Sequence, residues 1–200
     1  MFWVHFVFWS TIIAIVLMEF HFLLVFIDKI ICVNIKKQIP FVASNRRMRH
    51  ALIAEIQKHY SQYKTAVDIG AGDCALARMV ARQCNMRVIA IENTWHSLTL
   101  ARIKNRIFHA KKVELAAADA FEYLARTRKK YDIGIAYLGP SVNDRLIDVA
   151  GRFRVIITLA VPIPGIKPTR VLERVGGGTM YGGKWYVNNI YVYETPLKKS

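Results

Sequence analysis

The chain has 200 residues, enough for one modest domain and an appendage. Apolar residues make up 54%, above the roughly 45–50% usual in soluble domains, and much of the excess lies in the first 33 residues. Twenty-nine Lys and Arg against 14 Asp and Glu give a formal charge of +15, which favours anionic surroundings such as lipid headgroups or nucleic acid. Three irregularly spaced cysteines, Cys32, Cys74 and Cys84, exclude a disulfide framework and fit a reducing compartment. No Cys/His group has the spacing of a zinc site, so no metal is expected. Cys32, beside the apolar segment, is read as a plain buried thiol in preference to a lipidation site.

Phe2 to Ile27 is almost wholly apolar and holds no Lys or Arg. A membrane-spanning helix needs about 20 such residues. His5, Glu19 and His21 interrupt the stretch. An ionised Glu near the bilayer centre costs roughly 2.5–3.5 kcal/mol, which the surrounding apolar residues offset. The absence of an initial positive charge and of a small-residue cleavage site argues against a removed signal peptide. Cations follow the stretch, at Lys29, Lys36, Lys37 and from Arg46 onward, so the positive-inside rule puts the rest of the chain on the cytoplasmic or mitochondrial-matrix side. The expected organisation is a single-pass anchor over 1–33, with residues 2–27 in the lipid bilayer, a linker over 34–44 marked by Pro40, and one domain over 45–200. A buried or interfacial helix is the alternative for the anchor.

Beyond the linker, Ser44 is expected to cap a helix reaching Tyr60, with Met48, Leu52, Ile53 and Ile56 on one face. Strands then alternate with helices. The strands are expected at Thr65–Ile69, Arg87–Ile91, Val113–Ala117, Ile133–Leu138 and Phe153–Val161. The helices between them are expected at Cys74–Cys84, Trp95–Phe108, Phe121–Arg128 and Val142–Ala150. Such alternation implies an α/β domain, a mostly parallel Rossmann-like sheet covered on both faces. The tail differs: Gly176–Gly178 and Gly182–Gly183 punctuate β-rich stretches, notably the aromatic Trp185–Tyr193. Two late strands without a helix between them suggest an antiparallel hairpin at the C-terminal end of the sheet.

The central motif is Asp68-Ile69-Gly70-Ala71-Gly72-Asp73, closing the first strand and opening a helix. Gly70 and Gly72 allow a tight turn and close approach of a ligand to backbone, and the helix start offers free N–H groups. Asp68 discriminates between ligands. Its negative charge repels a dinucleotide pyrophosphate but suits a sulfonium ligand carrying an ammonium group. Glu92 ends the second strand, 20 residues past Gly72, where a carboxylate can accept both hydroxyls of a ribose, with Asn93 beside it. Asp119, with Ala120, follows the third strand; it fits the adenine end of a nucleoside or a helix cap. Three acids at the carboxyl ends of three successive strands mark the place where open α/β sheets bind ligands. The fourth strand leads to Tyr137-Leu138-Gly139-Pro140-Ser141, a corner where Tyr137, Pro140 and Ser141 can line an acceptor channel, an aromatic face attracting an amine cation. Ordinary packing is an equal reading of Tyr137. No Asn-Pro-Pro-Tyr-type motif is present, which counts against methylation of nucleic-acid amino groups.

These residues give the chain, from about Asn45 to Glu194, a resemblance to the ATP synthase c-subunit lysine methyltransferase family and its small archaeal and bacterial relatives. Asp68–Asp73 looks like that family's S-adenosylmethionine (SAM) loop, Glu92-Asn93-Thr94-Trp95 like its Glu-x-Asn-Pro stretch, and Tyr137–Ser141 like its post-strand corner. Arg154-Val155-Ile156 and Pro162-Ile163-Pro164-Gly165-Ile166-Lys167-Pro168 are similar to its most distinctive segment. Cys74 stands where the family usually has glycine, and Thr94 where it has proline. The resemblance implies a membrane-anchored class I methyltransferase with SAM as cofactor, held by Asp68, Gly70, Ala71, Gly72, Asp73, Glu92, Asn93, Asp119 and Ala120. It implies a lysine side chain of a protein, by analogy a membrane protein, as acceptor. The charge leaves open an RNA or small-molecule methyltransferase, and Cys74 leaves open a tethered domain that binds without catalysis. A nicotinamide dehydrogenase is disfavoured by Asp68.

Overall fold

The computed structural model describes residues 2–30, 44–181 and 184–198. The expected linker over 34–43, Cys32, Lys36, Lys37, Pro40 and the Gly182–Gly183 turn lie outside them. The chain divides into two compact units, Met1–Pro40 and Phe41–Ser200.

The first unit holds α1, Phe2–Ile30. Its 29 residues make a rod of about 44 Å, longer than the roughly 30 Å hydrocarbon core of a bilayer. The Trp3–Phe20 stretch is long and apolar enough to cross a membrane, and none of it is buried. The hydroxyls of Ser10 and Thr11 donate to Val7 O at 2.9 and 2.8 Å, so these polar side chains are satisfied within the helix itself.

In the second unit, α2 (Arg46–His59) is capped by Asn45 rather than Ser44. Both are capping residue types, but the extended backbone turns into the helix at Asn45, whose Oδ1 accepts from Met48 N at 2.8 Å. The alternation follows as β1 (Thr65–Ile69), α3 (Ala75–Gln83), β2 (Arg87–Glu92), α4 (Trp95–Ile107), β3 (Val113–Ala117), α5 (Ala120–Arg126) and β4 (Tyr131–Ala136). The fourth strand is shifted two residues toward the N-terminus of the expected range. Tyr131 pairs with Phe153, and after Ala136 the chain leaves the sheet. The expected helix over Val142–Ala150 is broken into α6 (Pro140–Asn143), α7 (Leu146–Val149) and a 3-10 turn at Ala150–Arg152. Asn143 causes the break: it is fully buried and its Nδ2 donates to Val161 O at 2.7 Å and Pro162 O at 3.3 Å.

The sheet continues with β5 (Phe153–Leu159), β6 (Arg170–Leu172) and β9 (Ile190–Glu194), in the order β3-β2-β1-β4-β5-β9-β6. All pairs among β1 to β5 are parallel, and β9 runs antiparallel to both β5 and β6. The aromatic Trp185–Tyr193 stretch is two strands. β8 (Lys184–Val187) pairs antiparallel with β7 (Gly178–Tyr181) in a separate hairpin, and the chain turns at Asn188–Asn189 into β9.

Strand side chains alternate between two cores. One face carries Ala66, Val88, Ile133, Ile135, Val155 and Ile157 against Met48, Leu52 and Ile56 of α2 and Ala77 and Val80 of α3. The other carries Val67, Ile69, Ile91, Ile156 and Tyr193 against Phe121 and Leu124 of α5 and Leu146 and Val149 of α7. The Pro-x-Pro segment belongs to this second core through Ile163 and Ile166, and Tyr193 Oη accepts from Ile163 N at 2.8 Å. At the amino ends of β1 and β4, Asp132 Oδ2 accepts from Lys64 N and Thr65 N at 3.0 Å and from Thr65 Oγ1 at 2.8 Å.

The edge strand β6 is fastened to α2 by charge. Arg170 Nε donates to Glu55 Oε1 at 2.8 Å and its Nη2 to Tyr60 Oη at 2.9 Å, with Glu55 only 5% exposed. Removing the guanidinium leaves a buried carboxylate without its partner, which is costly. Arg170→Met is expected to destabilise the domain by about 2 kcal/mol, while the double variant Arg170→Met/Glu55→Leu recovers most of the loss. Urea denaturation of the single and double variants measures both.

Candidate functional site at the carboxyl ends of the strands

β1 ends at Ile69 and the chain turns at once toward α3. Three residues of this turn have left-handed backbone: Gly70 at φ 72°, Gly72 at φ 55° and Cys74 at φ 60°. The backbone conformation requires glycine at 70, and a Cβ there would also displace the Leu138 Cδ2 methyl, 2.8 Å away. Cys74 takes up the same conformation as a non-glycine residue, at a cost of about 1–2 kcal/mol. Its side chain is fully buried, and burial pushes the thiol up to about 12, so it is a neutral packing group. Cys74 precedes α3 rather than belonging to it.

The turn is laced to the end of β2. Gly70 N and Ala71 N both donate to Ile91 O, at 3.0 and 2.9 Å. Gly72 N donates to Glu92 Oε2 at 2.8 Å. The other oxygen, Glu92 Oε1, accepts from Asn93 N at 2.9 Å, Thr94 N at 2.8 Å and Thr94 Oγ1 at 2.6 Å. Glu92 is thus a buried brace between the β1–α3 turn and the β2–α4 turn, with its acceptor positions taken up within the chain.

Asp68 lies on the same sheet face as Glu92, at 4% exposure, and its Oδ2 has no hydrogen-bond partner. Burial pushes its carboxyl up to about 7; repulsion from Glu92 and Asp73 adds to this, and a hydrogen bond from the Ala77 backbone opposes it. The negative charge expected here is therefore only partly present near neutral pH. Asp73 is the opposite case. Burial alone would raise it, but the Lys104 ammonium 2.6 Å from its Oδ2, the Ala75 N–H and the Arg78 charge hold it below the usual carboxylate range. Asp73 ties the start of α3 to α4.

Asp119 caps α5, its Oδ1 accepting from Phe121 N at 2.9 Å and Glu122 N at 3.0 Å, and Ala120 opens that helix half-buried. Arg145, a residue the sequence did not single out, brings its Nη2 within 3.7 Å of Asp119 Oδ1 and stacks over the Phe121 ring at 4.1 Å. A lone arginine between two short helices carries no sequence signal. Past β4, Tyr137 is half-buried against the first core and Leu138 packs in the second. Pro140 is the first residue of α6 and Ser141 is exposed. Asn93 is exposed beside Glu92. Strands β3, β2, β1 and β4 are neighbours, so the sequence-marked residues gather along one edge of the sheet. Among the described residues no group of His, Cys, Asp and Glu could hold a metal ion.

No family model matches the chain, and no curated protein does. Solved structures do match. The RNA methyltransferase from Salinibacter ruber, in complex with S-adenosyl-L-homocysteine, aligns with a TM-score of 0.62 at 19% identity over 80% of this chain and 97% of its own. A precorrin-6y C5,15-methyltransferase from Geobacter metallireducens GS-15 aligns at 0.55 and 18%, over 77% and 88%. TrmK from M. capricolum, in complex with the cofactor product S-adenosyl-homocysteine, aligns at 0.52 and 10%, over 70% and 67%. The chain has the Rossmann-like fold that these methyltransferases share.

The Asp68 carboxyl sets a pH dependence. Its folded value of about 7 lies well above that of an ordinary aspartate, so between the two the folded domain keeps a proton that the unfolded chain has released. Without ligand, stability therefore falls as pH rises through that window, by up to about 4 kcal/mol, and levels off above it. Asp68→Asn should flatten this slope and raise the melting temperature at pH 8. Thermal melts at pH 5 and pH 8 check it; an identical slope in wild type and variant would refute the assignment.

Proposed function

We propose that this chain is a membrane-anchored, SAM-dependent methyltransferase that acts on a lysine side chain of a membrane protein. The observation that carries the reading is the buried Asp68 Oδ2 without a partner beneath a turn built on Gly70 and Gly72. A carboxylate oxygen in that state is matched by a ligand bearing an ammonium group, and the turn lets such a ligand reach the backbone. Glu92 would receive ribose hydroxyls where the Thr94 hydroxyl now donates to it, with Asn93 beside it. The resemblance places Asp119 and Ala120 toward the adenine and Ala71 and Asp73 in the loop.

Bound there, SAM supplies an electrophilic methyl group on sulfur. The chain's own contribution is alignment, which is worth roughly 7–11 kcal/mol when reacting atoms are held in line. The acceptor amine has to arrive neutral against an ordinary lysine value near 10.4. Desolvation in the acceptor channel would lower this value, and the face of Tyr137, half-buried after β4, would accommodate the methylated cation that forms. Pro140 and Ser141 border the approach. No side chain is assigned as general base. The membrane part of the proposal rests on α1, and the lysine specificity on the resemblance of the Tyr137–Ser141 and Pro162–Pro168 segments.

RNA methylation is the second reading. It is favoured by the Salinibacter neighbour and by a cleft of about 500 Å³ at the amino ends of the strands, lined by Arg87, Lys111, Lys112, Lys129 and Lys130. Phosphate contacts at these cations would give RNA affinity that falls steeply with salt.

Calorimetry is expected to show SAM binding to the wild type and its loss in Asp68→Ala. Because Asp68 must ionise to meet a cation, SAM affinity should rise with pH up to about 7 and then level. Mass spectrometry of membranes with and without the protein should show a lysine-methylation difference. An unchanged lysine pattern together with salt-sensitive RNA binding would replace the lysine reading with the RNA one.

A further inference from the structure

Within the domain, α2 and the β7–β8 hairpin meet at the carboxyl end of the sheet. Asn45 Nδ2 donates to Gly176 O at 2.9 Å, and a Cβ on Gly176 would come within 3.0 Å of Arg47 Cβ. The hairpin leaves from this point and returns at Asn188, just before β9 begins. Its described side chains are divided. Tyr186 packs against the first core, whereas Trp185 is 65% exposed and Val187 47% exposed. The exposed indole is nevertheless held, because it lies across Gly178 where a Cβ would stand. Trp95, at the start of α4 and so at the same end of the sheet, is 50% exposed. Arg46, Arg47 and Arg174 are exposed around the hairpin base.

Tryptophan, with an apolar body and an N–H, favours the headgroup level of a bilayer. Arginine beside it favours anionic headgroups. The chain enters the domain on this same end, at Ser44–Asn45. Residues 31–43 separate that entry from α1 and reach at most about 45 Å.

We propose that the carboxyl end of the domain is a docking face for an anionic lipid surface, seated by Trp185 and Val187 of the hairpin and by the Arg46 and Arg47 guanidinium groups. The proposal rests on the reading of α1 as a membrane anchor. Docked this way, the edge carrying Asp68 and Glu92 opens toward the bilayer, and the acceptors within reach are amines in the headgroup zone. The cationic cleft at the amino ends of the strands faces away from it.

The test uses the full chain in nanodiscs whose lipids carry bromine near the headgroup. One variant keeps only Trp185 (Trp3→Phe, Trp9→Phe, Trp95→Phe). A second keeps only the α1 tryptophans (Trp95→Phe, Trp185→Phe). In phosphatidylglycerol nanodiscs Trp185 is expected to be quenched relative to the same nanodiscs without bromine, as a ring at the headgroup–acyl boundary would be. That quenching shrinks in phosphatidylcholine, in high salt and with Arg46→Glu/Arg47→Glu, while quenching of Trp3 and Trp9 is unaffected. Unquenched Trp185 with quenched Trp3 and Trp9 overturns the docking face and leaves the anchor standing. If Trp3 and Trp9 are unquenched as well, the anchor fails and the docking face falls with it.

Discussion

Gly72 donates its backbone N–H to Glu92 Oε2 at 2.8 Å, and the shape of the sheet's carboxyl edge follows from that bond. The turn places left-handed residues at 70, 72 and 74, a conformation that glycine adopts freely at the first two and that Cys74 adopts only at a cost. It is held because its N–H groups at 70, 71 and 72 are all accepted by the end of β2. The same carboxylate also fixes the start of the next connection through Asn93 and Thr94. One side chain thus sets the relation between two loops on adjacent strands, and with it the space above Asp68. A ligand that recruits Glu92 has to compete with these bonds, so binding and loop conformation are coupled at a single residue.

Four acids near this edge show how surroundings decide the use of one chemical group. Asp73 is neutralised by Lys104 and spends its oxygens on structure. Asp119 is spent on a helix cap, with Arg145 alongside. Glu92 is spent on backbone amides. Asp68 alone has a buried oxygen with nothing to bind, and desolvation drives its proton affinity up accordingly. An unspent buried carboxylate is an unusual thing for a folded domain to keep, and it is the strongest physical reason to place a cationic ligand there.

Much of this was legible in the sequence. β1 falls on the expected residues because a short apolar run between Lys64 and Gly70 leaves little choice of boundary, and β3 does so between Lys112 and the acid at Asp119. The three acids at strand ends were visible from spacing alone. What spacing cannot carry is which hydrogen bonds an acid accepts, so the use of Glu92 as a brace and the isolation of Asp68 emerge only in the folded chain. The helix expected over Val142–Ala150 failed because its apolar pattern is consistent with one helix, while the decisive event is the long-range capture of Asn143 by Val161 and Pro162. The β-rich stretch from Trp185 hides a strand boundary because Asn188 and Asn189 interrupt it without glycine or proline. Cys74, an anomaly beside the family pattern, became intelligible as a left-handed position filled by a small buried thiol.

The position of β9 has a consequence for how the molecule is assembled. Among the described residues β6 finds a sheet partner only in β9, and β9 lies between β5 and β6. Residues 170–172 therefore cannot pair in the sheet until Val192 has been made, although the five parallel strands before them can already associate. During that interval β5 is an open edge with unpaired amides, the kind of template that invites pairing with another chain. Every residue of it but Arg154 is buried in the finished fold, so this strand depends on β9 for its cover.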